Sequence, residues 1–157
     1  MQKFGIGQPV RRVEDVRFIT GAGAFTDDLN LPGQAVAFML RSPYGHAHIK
    51  SMDTTDALAA PGVVGIVTGA DLAADGVGPL PCVTAGIINN KDGSAIAQPQ
   101  HPALAVDTVR FVGDGVALVV AETLNQAKDA AELIDIDWDD LAAAASIETA
   151  EADGAPQ

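Results

Sequence analysis

Three histidines and one cysteine are the residues with which this chain could hold a metal ion, and His46 and His48 stand two positions apart. On a strand that spacing points both rings to one side, so together they could grip an ion. A metal site needs three or four converging ligands. Cys82 and His101 are remote and no local ligand pair joins them, so structural, hydrogen-bonded histidines are expected. One thiol also excludes an internal disulfide and a four-cysteine iron–sulfur cluster. A nucleophile needs a base beside it, and Ser42 near His46 is the one close pairing. Ser42 precedes Pro43, where its hydroxyl is expected to stabilise a turn.

Asp135, Asp137, Asp139 and Asp140 invite a cation. On a strand the odd-numbered carboxylates share one face opposite Ile136 and Trp138, which is the pattern of an ordinary half-solvated strand. Gly21-Ala22-Gly23 follows an irregular stretch and precedes Phe25 and two aspartates, so it lacks the strand and helix of a phosphate loop. Arg11, Arg12 and Arg17 cluster near Glu14 and Asp15 in an otherwise acidic chain. Arginine is enriched at interfaces, so a docking role competes there with plain solvation.

The elements that must position these residues belong to one domain of 157 residues, with 48% hydrophobic content supplying a core. With 21 acidic against 9 basic residues the net charge is −12, which repels nucleic acid and anionic membrane surfaces. The N-terminal residues carry no signal-peptide core, and the longest apolar run, residues 115–121, falls far short of the roughly 20 residues of a membrane helix. With one cysteine, a cytoplasmic location is expected.

Residues 1–34 mix Gly, Pro, Arg and Asp without periodicity and read as an extended arm. Residues 35–41 and 46–53 read as an antiparallel strand pair, and residues 57–60 as a short helix stopped by Pro61-Gly62 before a strand over 63–67. A short helix fits 70–74, and residues 77–102 read mostly as loop with a turn at 89–93. Val109–Val112 and Val116–Ala121 flank Gly113-Asp114-Gly115 as strands. Thr123 caps a helix over 124–133 whose stripe is Leu124, Ala127, Ala131 and Ile134, narrow enough to lie close on a sheet, and a strand follows over 134–138. Residues 141–157 read as an acidic, Ala-rich linker.

The run Arg12-Val13-Glu14-Asp15-Val16-Arg17-Phe18-Ile19-Thr20-Gly21, with Phe25-Thr26-Asp27-Asp28, resembles the start of the large subunit of molybdenum hydroxylases of the xanthine dehydrogenase, aldehyde oxidase and carbon monoxide dehydrogenase family. Arg41-Ser42-Pro43-Tyr44-Gly45-His46-Ala47-His48-Ile49, Pro61-Gly62-Val63-Val64, Thr68-Gly69-Ala70-Asp71-Leu72, Val109-Arg110-Phe111-Val112-Gly113-Asp114 and Ala121-Glu122-Thr123 follow in the family's order. Each block is weak alone; their joint order is specific. Asp114 stands where the family often has glutamate, and Tyr44 where histidine is frequent.

The resemblance implies an α+β fold, the α/β hammerhead, as a mixed sheet with short helices packed on it over residues 35–140, after the arm of 1–34. It implies a longer parent in which residues 141–157 lead to molybdopterin-binding domains, while iron–sulfur clusters and FAD sit in companion domains or subunits. No cofactor and no catalytic residue is then expected in this chain, and its work is structural. The residues expected at interfaces are Arg11, Arg12, Arg17, Arg41, His46, Arg110 and Asp114. The rival is a free-standing barrel-sandwich carrier or binding module. It would need a lysine at a tight hairpin tip, and only Lys91 is so placed, in surroundings unlike biotinyl or lipoyl signatures.

Overall fold

The computed structural model describes residues 11–84 and 86–156, so the apolar Phe4, Ile6 and Val10 of the expected arm lie outside the described residues. The chain divides into two compact units, Met1–Gln34 and Ala35–Gln157. In the first, the described residues are not simply extended. Helix α1 spans Asp15–Ile19 and a 3-10 turn spans Thr26–Asp28. Phe18 and Phe25 stack with ring centroids 5.3 Å apart, Arg17 lies over the Phe18 ring, and Arg17 pairs with Glu14 at 2.6 Å. Short-range aromatic and charge contacts thus give local order to a stretch without periodicity. Neither element buries a residue.

Among its described residues the second unit holds six strands: β1 Val36–Arg41, β2 Ala47–Asp53, β3 Val63–Thr68, β4 Thr108–Val109, β5 Gly115–Ala121 and β6 Asp135–Asp140. The α+β class stands, but where one mixed sheet was expected the strands form two antiparallel sheets, β1-β5-β3 and β4-β2-β6. β1 and β2, expected as a pair, fall in different sheets: Phe38 lies opposite Val119, and Ile49 opposite Trp138. Nor do β4 and β5 form a hairpin across Gly113. β4 pairs with β2, and the backbone of Gly113 and Asp114 bonds instead with Ser42.

Among the described residues four helices accompany them: α2 Thr55–Ala59, α3 Gly69–Ala74, α4 Leu124–Glu132 and α5 Ile147–Glu151. α3 begins on a reciprocal cap, with the Asp71 N–H donating to the Thr68 hydroxyl and the Asp71 carboxylate accepting from the Thr68 N–H and O–H. The Thr68 side-chain bond, then its backbone bond, holds the Asp71 carboxyl below its ordinary range. α4 begins on Thr123, whose hydroxyl accepts from the Gln126 N–H. Its buried face is Ala127, Ala130 and Ala131, running into Ile134. Leu124, placed on that stripe by sequence, is 44% exposed because it stands in the first turn, before the helix meets the sheet.

Two clusters form the core. Ala117, Val119 and Ala121 of β5 meet the alanines of α4 and Ala57 of α2, while Ala47, Ala105, Val109 and Val116 form the second. Leu40, Met52 and Ile136 pack against both and couple the two sheets. The core is small-residue: of thirteen buried apolar residues among those described, eight are alanine. Meanwhile Val64, Val83, Ile87, Val112 and Ile147 are each two-thirds exposed or more.

Candidate functional site

The bottom of the second unit gathers around Ser42, which is 2% exposed. The Ser42 N–H donates to the Asp114 carbonyl at 2.8 Å and the Gly113 N–H donates to the Ser42 carbonyl at 2.9 Å. The Ser42 hydroxyl accepts from the Tyr44 N–H and donates to the Tyr44 carbonyl. It holds a turn, as expected, and among the described residues no basic side chain hydrogen-bonds to it.

Three of the seven residues expected at interfaces gather at this turn. Arg41 donates from Nη1 to the Gly113 carbonyl at 2.8 Å. Arg110 donates from Nη1 to the Thr108 carbonyl at 3.3 Å, and its backbone N–H donates to the Asp114 carboxylate at 3.2 Å. Both arginine side chains are therefore steadied by carbonyl oxygens. Among the described residues neither has a carboxylate within ion-pair distance; the pairs present are Arg17 with Glu14 and Lys50 with Asp139. Residues 1–34 carry four cations and four acids, so the whole net charge of −12 falls on residues 35–157, where Arg41 and Arg110 are the only arginines.

His46 sits just before β2, and its ring joins the tail. Because the Ala142 carbonyl can only accept, His46 Nδ1 carries the proton in their 2.8 Å bond. The Leu141 N–H returns to the His46 carbonyl. A shallow groove results, lined by Gly45, His46, Arg110, Ala143, Ala144 and Pro156. The stretch read as a linker is thus partly built in, with α5 capped by Ser146 within it. A second groove, beside Arg110 and Asp114, is lined by His101 and Phe111, whose rings lie 6.1 Å apart. Arg11, Arg12 and Arg17 belong to the first unit and are exposed there.

The two histidines do not act as a pair. His48 Nδ1 bonds the Thr108 hydroxyl at 2.9 Å, while His46 serves the tail. Among the described residues no group of three or more His, Cys, Asp and Glu could hold a metal ion. Nor does any buried side-chain nitrogen or oxygen among them lack a partner. The carboxylates of β6 face outward in register with β2, Asp139 beside His48 and Asp137 beside Ser51. Lys91 does stand at a tight tip, between Asn90 and Gly93 in a turn closed by the Asn89–Ala95 bridge. Its setting is an open loop rather than a closed barrel. No helix among the described residues is long and apolar enough to cross a membrane.

Comparison with known proteins gives a consistent result. Residues 20–142 match the family described as "Aldehyde oxidase and xanthine dehydrogenase, a/b hammerhead domain". The chain is 38% identical over 136 residues to the nicotine 6-hydroxylase large subunit of Paenarthrobacter nicotinovorans, covering 87% of this chain and 16% of that protein. It is 36% identical over 137 residues to the carbon monoxide dehydrogenase large chain of Afipia carboxidovorans, covering 87% of this chain and 15% of that one. Among solved structures, the carbon monoxide-reduced Cu,Mo-CO dehydrogenase superposes with a TM-score of 0.78 at 36% identity. That alignment covers 97% of this chain and 18% of the other. The chain therefore spans under one-fifth of the length of these relatives.

Proposed function

The chain belongs to the aldehyde oxidase and xanthine dehydrogenase family as its a/b hammerhead domain, and from that premise we propose that it works as a structural and docking module of a molybdenum hydroxylase large subunit. The observation that carries this reading is the match over residues 20–142 against so small a share of each relative. The parent reaction would be hydroxylation of a carbon centre with oxygen from water, or oxidation of carbon monoxide. Electrons would leave through iron–sulfur clusters to FAD in companion domains or subunits, and molybdopterin would sit in domains that follow this one in the parent. The parent would be cytoplasmic.

The donor chemistry of the chain itself supports this division of labour. Cys82 is the one thiol, so no four-thiolate cluster can form on the chain. The described residues leave no buried polar atom unpartnered for a pterin to satisfy. They do not fit a resident metal or pterin.

What the module contributes is surface. Arg41, Arg110 and Asp114 at the Ser42 turn, His46 against the tail, and Arg11, Arg12 and Arg17 in the first unit are the proposed contacts with the molybdopterin-binding domains and the electron-transfer partners. Exposed Val83, Ile87 and Val112 support an apolar component to that docking. The alanine-rich core buries little large apolar surface, so further burial against neighbouring domains would add stability.

Elemental analysis of the purified chain tests the absence of a resident cofactor. Below about one-tenth equivalent of molybdenum or iron is expected after chelation, because scattered carboxylates bind cations weakly and exchangeably. A stoichiometric metal surviving chelation would refute the reading.

A further inference from the structure

Asp-Gly steps occur at Asp75–Gly76, Asp92–Gly93, Asp114–Gly115 and Asp153–Gly154. At such a step the glycine amide nitrogen can attack the aspartate Cγ, expelling water and closing a five-membered succinimide. Water then opens the ring at either carbonyl, giving aspartate again or isoaspartate, whose main chain runs through the former side-chain carbonyl. Atoms balance, since one water leaves and one returns, and no oxidant is needed. Glycine has no Cβ to obstruct the attack. The step does require a glycine N–H and an aspartate carboxyl that are both free to meet.

At three steps the fold withholds one or both. The Gly76 N–H donates to the Ala73 carbonyl at 3.1 Å as α3 ends. At the hairpin tip the Gly93 N–H donates to the Asn90 carbonyl at 2.9 Å, and the Asp92 carboxylate accepts from the Ser94 N–H at 2.9 Å and O–H at 2.6 Å. The Asp114 carboxylate is engaged by the Arg110 N–H, while its backbone bonds Ser42 and Phe111 and Gly115 is already in β5. Asp153 and Gly154 differ. Both are exposed, and among the described residues neither the Asp153 carboxylate nor the Gly154 N–H has a hydrogen-bond partner. The turn around them is closed by the Ala155 N–H on the Ala152 carbonyl at 3.0 Å.

We propose that Asp153–Gly154 is a site of spontaneous isoaspartate formation in this protein, and that the fold protects the other three steps. The change matters for position. Pro156, three residues on from Asp153, lines the groove with His46 and Arg110. An added main-chain methylene at residue 153 redirects the chain into that wall, so the modification would alter the proposed docking corner. The chemistry itself does not depend on the docking reading.

The full chain, incubated folded at neutral pH in water enriched in oxygen-18, tests this. Each ring opening leaves one heavy oxygen, and electron-transfer fragmentation of proteolytic peptides distinguishes isoaspartate from aspartate at each step. Isoaspartate at 153 is expected to exceed that at 75, 92 and 114 by roughly tenfold or more, because those steps must first open a bonded turn. In denaturing urea the four rates should converge. D153E should abolish the product, the longer side chain closing the ring slowly, with an unchanged melting curve. Equal rates at all four steps in the folded protein, or fastest formation at Asp92 or Asp114, would overturn the proposal.

Discussion

Alanine at Gly69 is expected to cost the fold about 3 kcal/mol, at the upper end of what overpacking by a single group does. Gly69 is buried at the start of α3, directly after the Thr68 cap. A Cβ built there would overlap the backbone carbonyls of Ala105 and Leu104. Neither can yield: Leu104 and Ala105 are 4% and 3% exposed, and the Ala105 N–H is bonded to the Gly115 carbonyl of β5 at 2.8 Å. Relief would have to move α3 off the sheet or break the approach to β5. Gly78→Ala is the control, since its added Cβ meets nothing within 4 Å. Chemical denaturation should show a large fall in midpoint for the first and little change for the second, while similar midpoints would refute the close approach.

Leucine at Ala127 should destabilise by about 2 to 3 kcal/mol. Ala127 is fully buried on α4, facing the alanines and Val119 of β5, and interiors packed at crystal-like density have no room for three further carbons. The helix would have to lift from the sheet and expose the first core cluster. Leucine at Asp129, on the exposed side of the same helix, keeps the same helix propensity argument without the clash and should leave the melting temperature within a degree or so per few tenths of a kcal/mol. Equal effects at the two positions would show that α4 does not sit as close as its alanines allow.

These two sites mark what the sequence could and could not reveal. The start of α4 was readable because its signal is local: the Thr123 hydroxyl falls three residues before a free N–H, while the equivalent cap at Thr68 emerged only from the structure. Strand existence was readable from β-branched runs, as in β3 and β5. Pairing was not. β1 finds β5 some eighty residues away, and the short distance between β1 and β2 suggested a pair, whereas the two strands fall in different sheets. Gly69 gave no signal as a close-approach position, because its neighbours arrive from residues 104–105. The order in residues 15–28 was missed for the opposite reason: it rests on an aromatic stack, an arginine over one of its rings, an ion pair and short-range hydrogen bonds, none of which makes a period.

The candidate site was legible in part, through resemblance rather than spacing. Arg41, Arg110 and Asp114 do converge on one turn, and His46 lies across a groove from Arg110. What composition concealed was the tail's part in it, since an Ala-rich acidic stretch gives no hint that Ala142 will accept from His46. The proposed interface role of Arg11, Arg12 and Arg17 rests on composition and on their exposure.

The most direct measurement of the central proposal is a segment exchange. The matching stretch of the Afipia carboxidovorans carbon monoxide dehydrogenase large chain, 36% identical to this one, would be replaced by the corresponding residues of this chain, and molybdenum content and subunit assembly of the purified enzyme recorded. Assembly with near-normal molybdenum content is expected, with R41Q/R110Q in the inserted segment weakening assembly before it lowers turnover per molybdenum. An assembled, fully loaded chimera that has lost turnover would contradict it, because the segment would then supply chemistry rather than structure.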